Sequence, residues 1–427
     1  MNRIISLLPT HDELFAGERG VRIPYHRMYG KEYCLSSLVH YRRNEYRTLQ
    51  VASEQADRIY RKALRFVQRY LPDTLLINQL GIHPRLIPAA RMEVPYHGVS
   101  RQDWIVNNGT FKLIENNTDT PTGIPEAAYL ADSMIKQVPA FQNPSEPMDI
   151  SIRQAFSSLL AYYREQGFTG EIVFSCYEWH EEDFCNTMYL MEQVCQAGFP
   201  ARFVSLEKLE VQPGVGLFAD GEKVDIWYRL YPLEYLVYDR DGEGFATGEE
   251  ILDLVRKQKL AIINPAQSII TQSKGLMAII WSLFEKRKVL PKVFDEEEYA
   301  VIERYFLPTY FDENVFHEKS LPYVSKALFG REGKGTLLYN QAGEPESSDG
   351  DEKTLDSVVC DAYYNDQIRI YQRREQLEQI NVRTEEGEFC GYLLTGVFVM
   401  GGQYAGLLPR IGNKVTGNLA YFAPAAL

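Results

Sequence analysis

Two carboxylates, an amide and an arginine stand on either side of one turn signal in the sequence. Arg101 and Asp103 precede the Asn-Asn-Gly turn at 107–109, and Glu115 and Asn117 follow it. Residues two apart on a strand share a face, so a hairpin closed at this turn can bring the four side chains together. Such oxygen atoms suit Mg²⁺, and an arginine suits phosphate. The pattern also fits a solvent-exposed hairpin with a surface ion pair.

A second segment combines a lysine with several glycines. An apolar run that carries Lys326 leads into the glycine-rich stretch 330–335, which contains Arg331 and Gly333. Glycines let backbone N–H groups approach a phosphate chain, and the basic side chains supply positive charge. The stretch is neither the GxxxxGK[ST] phosphate loop nor the GxGxxG dinucleotide turn. An ordinary glycine-rich connection between two strands is the alternative interpretation.

Two further basic residues stand at the boundaries of apolar segments. Lys274 opens an apolar helical run that ends at Trp281. A cation there conflicts with the helix dipole unless an anion binds beside it, and a solvated lysine is the alternative. Arg410 follows the apolar strand 397–400 and precedes a Gly-Asn turn, so it can reach an oxyanion or cap a carboxylate within the fold.

The sequence shows no local signature of a protein nucleophile. It contains no GxSxG, no HExxH and no Cys/His arrangement typical of a nucleophile site. The segment 178–183 surrounds His180 with acidic residues. A metal site is one interpretation of this cluster, and the acidic start of a helix is the favoured one.

The elements that must position these residues fall into distinct regions. Helical periodicity predicts a long helix from about 36 to 70. Alternating strand and helix patterns between about 150 and 210 predict a small α/β unit with a parallel sheet. The polar, acidic stretch 343–353 predicts an exposed turn or mobile loop. The chain is strand-rich after 321, and the predicted strands there are 323–328, 336–340, 368–372 and 391–400.

Composition indicates a reduced, soluble protein. The 427 residues carry a formal net charge of −13, which disfavours nucleic acid as a partner because such binders need a basic face. The charge suits a cationic ligand such as a polyamine, or simply keeps the protein soluble. Six cysteines without a CxxC pair argue against a disulfide framework or a structural zinc site. The sequence shows no secretory signal and no apolar run long enough to span a membrane, so a cytoplasmic location is expected.

Six segments, taken in order, resemble the synthetase domain of the glutathionylspermidine synthase family, which includes trypanothione synthetase. The likeness runs from about residue 96 to the C-terminus. Agreement of six segments in family order argues against a chance likeness. The segments are RxD with KLIENNTDTPTG (101–123), VDIWYRLYPLEY (224–235), QSKGLMAIIW (272–281), SKALFGREG (325–333), IRIYQ (368–372) and GGQYAGLLPRIGN (401–413).

The resemblance implies a mixed α+β and α/β architecture, namely an ATP-grasp fold with a preceding α/β unit. It places the hairpin and the α/β unit in about 1–210 and the ATP-grasp lobes in about 211–427. It also implies that the amidase domain of some relatives is absent, because the matching segments begin near residue 96.

The resemblance further implies a role for each candidate residue. The ligands of Mg²⁺ would be Asp103, Glu115 and Asn117. The residues that bind ATP would be Lys274, Lys326, Arg331, Gly333, Tyr371 and Gln372, the last two near the adenine. The residues that contact the reacting carboxylate and the transferred phosphoryl group would be Arg101, Thr120, Thr122 and Arg410.

The implied activity is that of an ADP-forming, ATP-dependent carboxylate–amine ligase. A carboxylate would become an acyl phosphate, an amine would attack it and phosphate would leave, so the site needs cations and metal ions rather than a protein nucleophile. The partners are small carboxylates and amines, either glutathione with spermidine or another short peptide or amino acid with a different amine. A nucleotide-binding or regulatory protein that keeps the fold without turnover is the alternative. The sequence does not predict the oligomeric state.

Overall fold

The structure is a computed structural model, and it describes residues 3–290, 292–346, 364 and 366–427. In these residues the helices are α1 (His11–Leu14), α2 (Glu18–Arg22), α3 (Arg43–Tyr70), α4 (Asp73–Asn78), α5 (Ile87–Ala90), α6 (Ala131–Ile135), α7 (Met148–Glu165), α8 (Glu181–Gln196), α9 (Leu233–Leu236), α10 (Thr247–Arg256), α11 (Ser268–Gln272), α12 (Gly275–Glu285), α13 (Glu296–Tyr305) and α14 (Asn314–Glu318). The strands are β1 (Ile4–Ser6), β2 (Arg27–Met28), β3 (Lys31–Glu32), β4 (Ser37–His40), β5 (Val99–Asn107), β6 (Thr110–Asn117), β7 (Glu171–Ser175), β8 (Arg202–Phe203), β9 (Leu209–Gln212), β10 (Gly216–Ala219), β11 (Glu222–Arg229), β12 (Ala261–Ile263), β13 (Thr309–Tyr310), β14 (Tyr323–Ala327), β15 (Thr336–Tyr339), β16 (Pro345–Glu346), β17 (Arg369–Arg373), β18 (Glu378–Thr384), β19 (Gly387–Met400), β20 (Gln403–Gly412), β21 (Tyr421–Phe422) and β22 (Ala425–Ala426).

The predicted long helix is confirmed as α3, but it begins later than expected. Residues 37–40 form β4, which pairs with β1 and with β22 near the C-terminus. Because the backbone of residues 37–40 is hydrogen-bonded in a sheet, the helix begins only at Arg43. The amide of Arg42 donates to the Glu45 carboxylate at 2.8 Å, which satisfies one of the free N–H groups at the helix start.

The predicted hairpin is confirmed as β5 and β6. It turns at Asn108 and Gly109, which both have positive φ (49° and 83°), the conformation for which Asn-Gly is preferred. The hairpin extends a sheet of order β21-β20-β19-β5-β6, in which β18 also pairs with β19. A β-bulge follows Asp103, and the sequence did not predict it.

The predicted α/β unit is confirmed, with a larger sheet than expected. Strand β7 lies parallel to β8 on one side and to β11 on the other, and β12 continues in parallel beyond β11. Helices α7 and α8 pack against each other beside this sheet. The division of the chain near residue 210 stays a prediction.

The predicted strands of the C-terminal part are confirmed, and they belong to two sheets. One is the hairpin sheet, through β19. The other has the order β13-β17-β14-β15-β16 and is antiparallel throughout. The predicted loop at 343–353 is described only as far as Glu346, where β16 pairs with β15, and the rest of it lies outside the described residues.

Buried helices pack between these sheets, and the buried apolar residues form two hydrophobic clusters. Helix α12 is apolar nearly all round, and Leu276 and Ile280 are fully buried. Helices α12 and α13 both contact α3, which packs in turn against β19 and β20. A helix that is apolar on all sides is stable only when other elements cover it. Among the described residues, no helix has the length and apolar character needed to cross a membrane.

Candidate active site

A cavity of about 920 Å³ lies where the hairpin, the β14–β17 sheet and the start of α8 meet. Its walls contain most of the residues that the sequence singled out. These are Arg101, Asp103, Glu115, Asn117, Thr120, Thr122, Lys326, Arg331, Gly333, Gln372 and Arg410. The structure therefore brings together segments that lie more than 300 residues apart in the chain.

Asp103 is the centre of the charged network in this cavity. Arg101 donates to its carboxylate at 3.0 Å and Arg410 at 2.9 Å, and the Asn117 amide donates at 3.4 Å. Burial raises the pKa of Asp103, but the charges of Arg101 and Arg410 outweigh burial and hold this pKa below its usual value. The carboxyl group is therefore ionised at neutral pH, as a metal ligand must be.

Glu115 lies directly across the hairpin from Asp103 and pairs with Lys274. The register of β5 and β6 places the two acids opposite each other, and the Lys274 ammonium lies 2.9 Å from the Glu115 carboxylate. Lys274 immediately precedes α12 and also donates to the carbonyl of Gly330 at 2.7 Å. Lys274 is buried behind the cavity wall. A cation at the start of a helix is unfavourable unless an anion lies beside it, and the Glu115 carboxylate is that anion.

Lys326 projects from the centre of the second sheet toward the hairpin. Its ammonium donates to the carbonyl of Ile114 and to the side-chain oxygen of Gln372, both at 2.9 Å. Burial lowers the pKa of Lys326 to about 8, since the charged form loses hydration. Lys326 therefore keeps its charge near neutral pH and loses it under mildly alkaline conditions.

The glycine-rich stretch 330–335 reaches across the cavity to the opposite wall. The Arg331 guanidinium pairs with Glu234 at 2.6 Å and donates to the Thr120 hydroxyl at 3.1 Å. Gly333 has a φ of +73°, and a Cβ atom there would lie 2.7 Å from the side chain of Val415. Only glycine fits this backbone position without displacing its neighbours.

Thr120 and Thr122 are held in place by a loop that the core anchors firmly. Asp119 is buried and forms an ion pair with Arg229 that has no exposed side-chain surface on either partner. Asp119 also accepts from the amide of Leu233 at 2.9 Å. The carbonyl of Thr122 accepts from Arg101 at 2.9 Å, so the loop in turn orients that arginine.

Tyr371, like Lys274, is an ATP-binding candidate that does not line the cavity. It neighbours Gln372 on β17, and side chains alternate between the two faces of a strand. Gln372 therefore faces Lys326 and the cavity, whereas the Tyr371 ring lies on the opposite face, 6.0 Å from the ring of Tyr323.

An acidic wall that the sequence analysis did not assign to the site completes the cavity. Helix α8 begins at Glu181, as the favoured interpretation of the segment 178–183 predicted, and His180 caps it by accepting from the amide of Asp183. Glu182 and Asp183 also line the cavity. Burial raises the pKa of Glu182 to about 8 and that of Asp183 to about 6. The run of acids was the one signal in the sequence that could have pointed to this wall.

The architecture is also found in a solved protein. The structure of a glutathione synthetase-like effector from Globodera pallida superposes with a TM-score of 0.53, at 12% identity, over 91% of this chain and 88% of that one. The mixed α/β fold with its several sheets is thus of the glutathione synthetase-like, ATP-grasp type.

The sequence defines the family within that class. Residues 13–427 match the family model described as glutathionylspermidine synthase preATP-grasp, and the chain belongs to this family. It is also similar to a putative acid–amine ligase of Haemophilus influenzae, with 22% identity over 341 residues that span 78% of this chain and 75% of that protein. The predicted family resemblance and fold class are therefore confirmed.

Proposed function

We propose that the protein is an ATP-dependent ligase that joins a carboxylate to an amine. The observation that carries the proposal is the meeting, in one cavity, of three oxygen-bearing side chains and a set of lysines and arginines from four separate segments. The family and the name of the Haemophilus influenzae relative support the same class of reaction.

The residues present fit a magnesium nucleotide. Asp103, Glu115 and Asn117 offer the hard oxygen atoms that Mg²⁺ takes alongside phosphate and water. The buried Nε of Arg410 has no hydrogen-bond partner within the described part of the chain, and a phosphate oxygen would satisfy it. Lys326 and Arg331 would hold the triphosphate, and Gln372 would face the adenine end. Lys274 would join them only by exchanging its pairing with Glu115 for a phosphate.

The chemistry follows from the charges that the reaction develops. Transfer of the γ-phosphoryl group turns a carboxylate into an acyl phosphate, and both this step and amine attack gather negative charge on oxygen atoms. Bound Mg²⁺ would neutralise part of that charge. Arg101 and Arg410 would stabilise the rest, and Thr120 and Thr122 would orient the carboxylate.

The acidic wall suits an amine that arrives as a cation. Glu182 and Asp183 line the cavity together with the aromatic side chains of Tyr177 and Tyr231. Carboxylates and aromatic faces both attract an ammonium group. A polyamine fits this wall, and glutathione with spermidine is therefore the first substrate pair to test among short peptides, amino acids and other amines.

The decisive experiment measures ADP release with ATP, Mg²⁺ and a panel of carboxylates and amines. ADP release that requires both a carboxylate and an amine, together with an amide product detected by mass spectrometry, supports the ligase. Asp103→Ala and Lys326→Ala should abolish it, whereas Lys319→Ala, at an exposed position outside the cavity, should not. Tight ATP binding without turnover across the panel would instead favour a nucleotide-binding protein that keeps the fold.

A further inference from the structure

A cluster of titratable side chains lies outside the cavity, where α1 meets the turn between β18 and β19. His11 and Asp12 belong to the first turn of α1, and Glu385 belongs to the turn between the strands. The His11 Nδ1 atom lies 3.9 Å from an Asp12 oxygen and 3.9 Å from a Glu385 oxygen. The three nitrogen and oxygen atoms all lie within 4.8 Å of one another, so they surround one small space.

His11 is buried, and its Nδ1 atom is left without a hydrogen bond. The side chain is only 4% exposed, and Nδ1 has no hydrogen-bond partner among the described residues. The other ring nitrogen, Nε2, lies 3.4 Å from Nδ1 of His26. If Nδ1 carries a proton, the carboxylate oxygens are too far away to accept it, and if Nδ1 carries a lone pair, that lone pair faces negative charge. A cation at the centre of the cluster would satisfy the lone pair and both carboxylates.

Arg27 supplies the positive charge beside the two carboxylates. Its guanidinium donates to Asp12 at 3.0 Å and pairs with Glu385 through both terminal nitrogens. An arginine has only donors and cannot accept, and it leaves Nδ1 of His11 unsatisfied. The Arg27 side chain is 31% exposed, and an exposed ion pair of this kind is weak, so an ion can displace it into solvent.

The three groups have the protonation states that metal binding requires. Burial, followed by the charge of Arg27, lowers the pKa of His11, so its imidazole is neutral at neutral pH. Hydrogen bonds from Arg27 lower the pKa of Asp12 and that of Glu385, so both carboxyl groups are ionised. One imidazole with two carboxylates suits zinc and similar transition ions better than magnesium, which takes oxygen ligands.

Small side-chain movements would complete the coordination of an ion. Ligand atoms about 2.1 Å from a tetrahedral zinc ion lie about 3.4 Å apart, so the 3.9 Å separations from His11 need to shorten by about half an ångström. The backbone on both sides is held, because Thr10 and Glu13 form a capping box at the start of α1 and the Glu385 amide donates to Glu32 at 2.9 Å. The exposed carboxylates can therefore adjust while the chain that carries them stays in place.

We propose that His11, Asp12 and Glu385 bind a divalent transition ion of the zinc type, which takes the place of the Arg27 guanidinium. Water would fill the fourth position of the ion. His26 would be a positioning residue, because its contact with Nε2 fixes the ring orientation of His11. The site is separate from the proposed magnesium nucleotide site, and it does not depend on the ligase function.

Zinc binding by the whole protein tests the proposal. In a titration against a chromophoric zinc chelator, with magnesium in excess, the wild-type protein should bind one zinc ion that His11→Gln does not bind. Glu385→Gln should weaken this binding by more than about 100-fold, since loss of a supporting residue alone costs about 10–100-fold. His317→Gln and Glu386→Gln change an exposed histidine and an exposed acid outside the cluster, and they should leave the binding unchanged.

Two more variants test the roles given to the neighbouring residues. Arg27→Gln should tighten zinc binding, because it removes the competing cation. His26→Phe keeps a ring that can stack on Phe15 but loses the contact with His11, and it should weaken binding by about 10–100-fold. Weaker binding in Arg27→Gln than in the wild-type protein would contradict the exchange between the arginine and the ion.

X-ray absorption by the zinc-loaded protein identifies the ligands without turnover. The wild-type spectrum should contain the scattering of one imidazole ring, and the spectrum of His11→Gln should lack it. Equal zinc affinity in the wild-type protein, His11→Gln and Glu385→Gln would overturn the proposal and indicate an adventitious ion only. If circular dichroism shows that His11→Gln does not fold, the exposed Glu385→Gln decides the question alone.

Discussion

The arginine at position 410 shows how much of the site depends on the geometry of a single group. Its guanidinium already donates to Asp103, and its buried Nε points to no other partner in the described chain. A lysine would keep the charge but lose the planar fork of donors. Arg410→Lys should therefore lower kcat for ADP formation by about 10²-fold, as loss of an oxyanion donor does in other enzymes.

Steady-state kinetics check this prediction against a matched variant. Arg240 is exposed and bonds to the carbonyl of Gly244, outside the cavity. Arg240→Lys should leave kcat unchanged. An Arg410→Lys protein with wild-type kcat would show that charge alone suffices at this position.

The lowered pKa of Lys326 predicts that the KM for ATP depends on pH. Its pKa in the folded protein is lowered to about 8, so its charge is present below this pH and is lost as the pH rises through it. Since the charged form would attract the phosphates, the KM for ATP should rise from about pH 7 to about pH 9. Lys326→Arg should keep its charge and flatten this profile. A wild-type KM that does not change over the same range would argue against contact between Lys326 and the nucleotide.

At the scale of elements, the loop that carries the two threonines depends on one buried ion pair. Asp119 and Arg229 have fully buried side chains. Removing one partner leaves the other charge buried and unpaired, so Asp119→Ala should lower the free energy of unfolding by about 3–5 kcal/mol. Urea titration followed by circular dichroism measures this loss. Replacing both residues, as in Asp119→Leu with Arg229→Met, should cost less than the single change, and an equal or larger cost would contradict this account.

The hairpin shows which parts of an element a sequence can specify. The turn at 107–109 and the alternation on either side predicted both strands, because these are local signals. Counted from this turn, Asp103 would lie opposite Ile114, so the position of Glu115 opposite Asp103 depends on the bulge. The bulge after Asp103 could not be predicted, since β5 is also paired with β19, and that strand lies nearly 300 residues further along the chain. Its effect is to shift the register between Asp103 and Trp104.

The acidic wall is a part of the site that local sequence patterns predicted only in part. The acids before Phe184 predicted the start of a helix, and that prediction is confirmed. Their place in the cavity depends on the packing of α8 against the threonine loop through Asn186, a tertiary contact with no pattern in the sequence. For Tyr371, in contrast, the sequence already held the answer. Neighbouring residues on a strand point to opposite faces, so Tyr371 and Gln372 could not both face the proposed nucleotide.

At the scale of the whole molecule, the site takes residues from several sheets, so its ligand should stabilise all of them together. The cavity joins the hairpin sheet, the β14–β17 sheet and α8. A ligand present at 100 times its Kd adds about 2.7 kcal/mol to the folded state. Magnesium with ATP should therefore raise the Tm in a thermal shift experiment by a few degrees. Asp103→Asn should remove the dependence of this shift on magnesium, and a shift that stays unchanged would place the metal elsewhere.

If the proposed magnesium ion and nucleotide bind in the cavity, the contacts of Asp103 would link these two ligands to each other. A divalent ion that coordinates this carboxylate competes with Arg101 and Arg410, and the arginines need a new anion once they are displaced. A triphosphate supplies that anion, and the ion in turn relieves the repulsion among its oxygens. Each ligand should therefore strengthen the binding of the other, and thermodynamic reciprocity requires that it does so by the same factor. Because the Asp103 carboxylate is shared between Arg101 and Arg410, the protein would then respond to the metal–nucleotide complex more strongly than to either component alone.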